Sequence, residues 1–116
     1  VNIPVIRMGD VYLMRAEAEL RRGNPEAALS DVNTLRAARG ARLLTSIDLE
    51  SLYLERTYEL YVEFLARTDA IRFGKWESQW IDKTSSNPIR RVYPIPQNVM
   101  DAASGSPGYL EQNQGY

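Results

Sequence analysis

The chain has 116 residues, of which 44% are hydrophobic, and its formal net charge of −1 comes from 14 basic and 15 acidic residues. This length and composition suit one compact unit or part of a larger domain. The balanced charge provides no field that would attract nucleic acid or an anionic membrane surface. Because cysteine and histidine are both absent, disulfides, thiolate metal sites and histidine-based catalysis are excluded, and we expect no catalytic residue, metal or cofactor.

The first forty residues predict a helical hairpin. A first helix is expected over residues 5–22, with an apolar stripe made by Val5, Ile6, Met8, Tyr12, Leu13, Ala16 and Leu20. Its opposite side would carry Arg7, Asp10, Glu17 and Arg21. Gly23 ends this helix. Asn24 as cap and Pro25 as first residue then begin a second helix that runs to Gly40. The intervening turn is so short that the two helices must pack antiparallel.

A third helix is predicted to begin near Thr45 or Ser46, with Thr45 and Asp48 forming a capping box, and to continue at least to Leu65. Apolar residues cover well over half of its circumference, which predicts a long, central and mostly buried helix. Two hairpin helices and a tail could not cover so apolar a helix completely. We therefore also expect an exposed apolar patch or self-association. A further short helical stretch is expected over residues 68–75.

The character of the sequence changes after Trp76. Residues 1–76 are predicted to form the helical scaffold, and residues 77–116 a loop-rich segment that packs on the same unit. Pro94 and Pro96 require residues 91–96 to be extended, and residues 97–102 suit one helical turn. The rest of the tail is expected to be irregular, with apolar anchors at Tyr93, Ile95, Tyr109, Leu110 and Tyr116. The fold class is therefore all-α with an irregular C-terminal tail.

The spacing from Leu13 through Gly23 to Ala28 is similar to that of one tetratricopeptide repeat. A single repeat cannot bury its own apolar face, so neighbouring helices are expected, and the third helix could supply the next layer. The alternative is an ordinary helical hairpin with a Gly-Asn-Pro turn.

Charged residues at four-residue steps mark one sector of the third helix. We interpret them, together with charges on the first helix, as a structural ion-pair network, because charges on a mostly buried helix persist only when they are paired. The alternative is a pair of carboxylates that act as acid and base. The predicted network contains Arg7, Asp10, Glu55, Arg56, Glu59, Glu63, Arg67 and Asp69.

Trp76 and Trp80 lie in the loop-rich third of the chain. Exposed aromatic faces can stack on sugar rings, so both are candidates for ligand binding. The alternative is that their large apolar area pins loops to the core.

Four groups of residues, in chain order, resemble the motifs of the SusD/RagB family. Residues 7–18, RMGDVYLMRAEA, are similar to its R-x-x-D-x-x-L-x-x-A-E-A signature, and residues 55–74 to its E-R-x-x-E-L…E…R…D…R-x-G block. Residues 93–96 and the ending QNQGY resemble its P-I-P and Q-N-P-G-Y motifs. Three departures mark a divergent member: Gln114 replaces proline, Phe64-Leu65 replaces a glycine-containing step, and Phe73 replaces a frequent tryptophan.

The resemblance implies the C-terminal part of a larger helical SusD-like fold. Family members are surface-exposed outer-membrane lipoproteins that capture glycans, or in some members peptides, and pass them to a SusC-like TonB-dependent transporter. The resemblance therefore implies a glycan or other nutrient as ligand, that transporter as partner, and anchoring through an N-terminal lipid outside this chain. It carries no ligand-contacting residue over to this sequence. The alternative function is a tetratricopeptide-type module that binds other proteins and no sugar.

Overall fold

A computed structural model describes residues 5–80, 82–84, 86–105 and 109–116, and the chain divides into two compact units, one ending at Phe73 and one beginning at Gly74. Within the described residues there is no β-strand beyond an isolated bridge, which confirms the predicted all-α class. The helices of the first unit are α1 (Met8–Arg21), α2 (Pro25–Ala38), α3 (Leu49–Glu59) and α4 (Ala66–Arg72). The second unit contains a 3-10 helix (Pro88–Arg91) and α5 (Gln97–Ala103).

The hairpin of α1 and α2 forms as predicted. Gly23 takes a positive φ of 80° at the turn, a conformation that glycine adopts without steric cost, and Pro25 is the first residue of α2. The hydrophobic core joins this hairpin to the residues around α3. Its buried members are Leu13, Ala16, Ala28, Val32, Leu35, Ile47, Leu52 and Leu60.

The start and orientation of α1 differ from the prediction. The helix begins at Met8, after Arg7 in an extended conformation. The residues expected to start its apolar stripe, Val5, Ile6 and Met8, are 93%, 65% and 67% exposed. Asp10 and Glu17, expected on the polar side, are instead buried. The reason is that both carboxylates pair with arginines of α3 and α4, so the buried face of α1 is set by charge pairing as well as by apolar burial.

The caps of α2 and α3 also differ from the prediction. The Asn24 side chain makes no capping bond and instead donates to Glu19 Oε2 at 3.0 Å. The capping box of α3 is formed by Asp48 and Ser51 rather than by Thr45 and Asp48. Consequently α3 begins at Leu49, about one turn later than expected.

The third helix is shorter and more exposed than predicted. It ends at Glu59, and residues 60–65 form a turn in which Val62 and Phe64 have positive φ angles of 64° and 62°. Among the residues of α3 only Leu52 and Arg56 are buried, so the prediction of a mostly buried helix reaching Leu65 is wrong. The expected exposed apolar patch is present, and we call it the turn patch: Tyr61 (78% exposed), Val62 (72%) and Phe64 (96%). Apolar periodicity continued through this turn, which is why it suggested a continuous helix.

Replacing Phe64 with glycine should stabilise the 116-residue chain by about 1 kcal/mol, because a side chain in the left-handed region costs roughly that much. Phe64 is almost fully exposed, so little packing is lost. It also stands in the step that usually contains glycine in the SusD/RagB motif. Urea unfolding followed by circular dichroism measures the change. Tyr58→Gly, at a 72% exposed position inside α3, is the control and should lower stability by about 1 kcal/mol. A destabilised Phe64→Gly variant would contradict the prediction.

In the second unit, side-chain amides hold the tail. The Gln112 amide accepts from Ile95 N at 2.8 Å and donates to Ile95 O at 2.9 Å. Asn113 donates to Tyr93 O at 2.7 Å, and the Tyr116 hydroxyl donates to Val92 O at 3.1 Å. The QNQGY ending thus pairs with the extended segment that contains the prolines.

Tyr93 and Tyr109, two of the expected aromatic anchors, are 69% and 80% exposed, and amide-to-backbone bonds connect the segments of the tail. Arg91 belongs to the 3-10 helix, so the extended segment begins one residue later than predicted. Residues 1–4 of the predicted scaffold and residues 106–108 of the predicted irregular tail lie outside the described residues. Packing of the tail on the helical unit remains a prediction.

Candidate functional site

A buried ionic cluster connects three helices of the first unit. Arg56 of α3 donates through Nε to Asp69 of α4 at 2.8 Å, and through Nη2 to Asp10 of α1 at 3.0 Å and to Asp69 at 3.2 Å. These three residues are only 2%, 4% and 7% exposed in the order Arg56, Asp69, Asp10. Charges this deeply buried persist because each is paired and hydrogen-bonded. The cluster therefore fixes the positions of α1, α3 and α4 relative to one another.

The cluster extends along α1 and α4 through Glu17. Its carboxylate accepts from Arg72 Nε at 2.9 Å and from Arg21 Nε at 2.9 Å. Arg72 Nη2 also donates to Asp69 Oδ1 at 2.7 Å, which links Glu17 to the Arg56 pair. A cavity of about 520 Å³ lies against these side chains, with Met14 and Leu65 among its apolar lining residues.

A second group of ion pairs surrounds Glu59 at the end of α3. Its carboxylate accepts from Arg39, the residue that follows α2, at 2.8 and 3.2 Å and also pairs with Arg7. Arg7 Nε donates to both oxygens of Glu63 at 2.8 and 3.0 Å. Gly9 lies beside this pair, where a Cβ would come within 2.5 Å of Arg7 Nη1 and 2.7 Å of Glu59 Oε1. A larger residue at this position would therefore require the ends of the Arg7 and Glu59 side chains to shift.

The structure thus brings most of the predicted network together in pairs. Glu55, the remaining carboxylate of that set, pairs with Arg36 of α2. Arg67 lies half-buried near the start of α4. Sequence reasoning missed four partners, because their positions follow from the packing of α2 and α4 on the other helices: Glu17, Arg36, Arg39 and Arg72. To predict these partners from the sequence, one would have to know which charged positions the packed helices bring side by side.

These contacts account for the electrostatics of Glu59. Hydrogen bonding from Arg39, and then from Arg7, lowers the pKa of Glu59 below its ordinary value of 4.5, although burial opposes the shift. Hydrogen bonds to Glu63, and then to Glu59, raise the pKa of Arg7. A carboxylate with a lowered pKa stays ionised at neutral pH, which disfavours a role as general acid.

Glu59→Gln should lower the stability of the 116-residue chain by about 1–2 kcal/mol at neutral pH, since a hydrogen-bonded charge pair is lost. Because the pKa of Glu59 is lower in the folded chain, its contribution is present above its ordinary pKa and disappears as pH falls through the folded value. The variant and the parent should therefore converge in melting temperature as the pH is lowered below 4.5, the ordinary pKa of a glutamate. Glu111→Gln, at an exposed carboxylate of the tail, is the control. A difference that persists unchanged in acid would rule out this account.

Trp76 and Trp80, the candidates for ligand binding that the sequence suggested, both make a cation–π contact with Lys83 in the second unit. The Lys83 ammonium lies 5.1 Å from the Trp76 ring centroid and 4.5 Å from that of Trp80. It also donates to the carbonyls of Trp76 and Ser78. Trp76 is half-buried, whereas Trp80 is 44% exposed. The lysine holds the two rings in place, and Trp80 is the more accessible of the two.

Among the described residues, no group of three carboxylates lies close enough together to hold a metal ion. None of the helices in the described part of the chain combines the length and apolarity needed to cross a bilayer.

A helical hairpin continued by further helices, with buried charges paired between them, is a helical scaffold that resembles a tetratricopeptide repeat in its layout. Comparison with known proteins agrees with this layout and narrows it. The chain belongs to the SusD family, whose family model matches residues 1–116. This is a family of binding proteins, in agreement with the prediction that the chain is not an enzyme.

Individual relatives also belong to this family. The chain is 33% identical to the starch-binding protein SusD of Bacteroides thetaiotaomicron, over 99% of the chain and 22% of that protein. It is 32% identical to SusD-like protein P25 of Formosa agariphila, over 99% of the chain and 25% of that protein. Among solved structures, surface glycan-binding protein A from B. thetaiotaomicron matches 97% of the chain and 25% of its own length, with a TM-score of 0.76 and 28% identity. The chain thus spans a quarter or less of these relatives.

Proposed function

We propose that this chain is part of the helical scaffold of a protein that captures glycans at the cell surface. The observation that carries the proposal is the SusD-family match over residues 1–116. Relatives named for binding starch and surface glycans support it. The internal pairing of the buried charges agrees with a scaffold role, because none of the carboxylates of the ionic clusters lacks an arginine partner.

Affinity electrophoresis of the complete protein in gels containing starch or other polysaccharides tests glycan capture. We expect retardation by at least one glycan of a broad panel. If the accessible face of Trp80 stacks on the bound sugar, Trp80→Ala should reduce that retardation. Trp76→Ala, which changes the less accessible ring, is the matched comparison. Unchanged mobility in every glycan would overturn the proposal.

We further propose that the complete protein delivers its ligand to a SusC-like TonB-dependent transporter while anchored at the outer-membrane surface by an N-terminal lipid. This step rests on the family resemblance of the four motifs. Purification of the tagged, complete protein from detergent-solubilised outer membranes should recover such a transporter in comparable amount. Recovery of the protein alone, from a fraction other than the outer membrane, would contradict both the partner and the location.

A protein-binding module without sugar binding is the second candidate. One observation favours it: α1 exposes Met8, Val11 and Met14 at three-residue spacing, and they are 67%, 43% and 43% exposed. Apolar residues at this spacing form a stripe that suits packing against another protein. Stable recovery of a protein partner combined with no glycan retardation would favour this candidate over glycan capture.

A further inference from the structure

The backbone that carries Trp80 is fixed by a bridge to Lys83 in the second unit. The Trp80 N–H donates to Lys83 O at 3.0 Å, and the Lys83 N–H donates to Trp80 O at 3.2 Å. The two residues thereby form an isolated antiparallel bridge. Because these reciprocal bonds hold the main chain on which the indole stands, only the side-chain torsions of Trp80 remain to be fixed.

The Lys83 side chain restricts those torsions. Its ammonium lies 4.5 Å from the centroid of the Trp80 ring and is itself held by hydrogen bonds to the carbonyls of Trp76 and Ser78. An ammonium has three N–H groups, so two of them are used by the backbone. A cation over an aromatic face is attracted by the electrons of the ring. Lys83 therefore covers one face of the Trp80 indole and holds the ring in a fixed orientation.

The opposite face of the same indole is open. Trp80 is 44% exposed although Lys83 lies over its ring, so the exposed area belongs chiefly to the other face and to the ring edge. Trp76, the second ring beside this ammonium, is half-buried. A large apolar ring that is already held in place loses little conformational entropy when a ligand stacks on it. The open face of Trp80 therefore suits the apolar face of a sugar ring, which carries C–H groups.

The polar residues next to Trp80 favour a neutral sugar. Gln79 and Asp82 are exposed, and neither side chain has a hydrogen-bond or ion-pair partner among the described residues. Their amide and carboxylate groups can bond to sugar hydroxyls. The unpaired carboxylate of Asp82 disfavours an acidic sugar by repulsion. Lys83 offers such an anion little compensation, because its ammonium is already bonded to two carbonyls.

We propose that Trp80 contacts a neutral sugar unit of the glycan and that Lys83 is the residue that positions it. The apolar face of the sugar stacks on the open face of Trp80, and Gln79 and Asp82 bond to its hydroxyls. Lys83 does not touch the sugar and acts through the orientation of the indole. This inference rests on the proposed glycan capture, to which it adds a contact site, a class of sugar and a positioning residue.

Affinity electrophoresis of the complete protein tests the site, with gels that contain graded amounts of soluble starch, galactomannan or polygalacturonate. We expect a neutral glycan to retard the parent most, and Trp80→Ala to raise the apparent Kd for it at least about fivefold. Trp80→Tyr keeps a smaller ring and should lose less. Lys83→Met should raise the Kd about threefold, and Lys83→Arg should restore it, because arginine also stacks over aromatic rings. Arg22→Met, which removes an exposed cation of the first unit, is the control.

A parent that is retarded as strongly as its Trp80→Ala and Trp80→Tyr variants would refute the contact. If Lys83→Met bound like the parent, or Lys83→Arg bound no better than Lys83→Met, the positioning role would be refuted. Preference for polygalacturonate that depends on Trp80 would refute the neutral class of sugar. In each of these cases the parent still binds a glycan, so the proposed function stands. A parent that no glycan retards would overturn both proposals.

Discussion

Replacing Arg56 with methionine should lower the free energy of unfolding of the 116-residue chain by about 3–5 kcal/mol, the usual cost of removing one partner from a buried ion pair. Methionine keeps most of the side-chain length but offers no donor. Asp69 would retain its bond to Arg72, whereas Asp10 has no other ion-pair partner among the described residues. The destabilisation thus arises chiefly from a buried carboxylate that is left without compensation.

Urea unfolding monitored by circular dichroism measures this effect. Arg22→Met is the matched control, because Arg22 forms an ion pair with Glu19 at 3.6 Å with 76% of its own side chain exposed. That change should cost less than about 0.5 kcal/mol. Adding Asp10→Asn to Arg56→Met should recover part of the loss, since the uncompensated charge is removed. Equal effects of the Arg56 and Arg22 variants would show that the buried cluster does not hold the helices together.

Leu52→Ala should also be strongly destabilising, by about 2–5 kcal/mol, because it removes buried methyl groups and leaves a cavity in the core. Leu52 is 0% exposed and belongs to the core cluster that joins α3 to the hairpin. The expected loss therefore lies near that of the Arg56 variant despite its different physical origin.

Leu54→Ala provides the comparison within the same helix. Leu54 is 44% exposed, so its truncation should cost no more than about 1 kcal/mol. Both variants change a leucine to alanine in α3 and thus share the same gain in helix propensity. If the two variants unfolded at the same urea concentration, the assignment of Leu52 to the core and Leu54 to the surface would be refuted.

Local signals in the sequence were sufficient for the hairpin. Gly23 and Pro25 act through the conformation of their own backbone, and the core residues Leu13, Ala16, Ala28 and Val32 follow one periodicity that matches their burial. Such effects need no knowledge of distant residues. The family motifs were also readable, because they combine residue types at short spacings, and the match over residues 1–116 agrees with them.

The sequence by itself thus determined the all-α class, the α1–α2 hairpin and the family of this protein. Only the tertiary structure decided where α3 ends, which face of α1 is buried and which arginine meets each carboxylate. Apolar periodicity ran unbroken through residues 60–65, although the chain turns there through Val62 and Phe64. Asp10 and Glu17 looked like surface residues until Arg56 and Arg72 were brought beside them. The physical reason is that a charge is buried or exposed according to partners 46 and 55 residues away, and no local pattern carries that information.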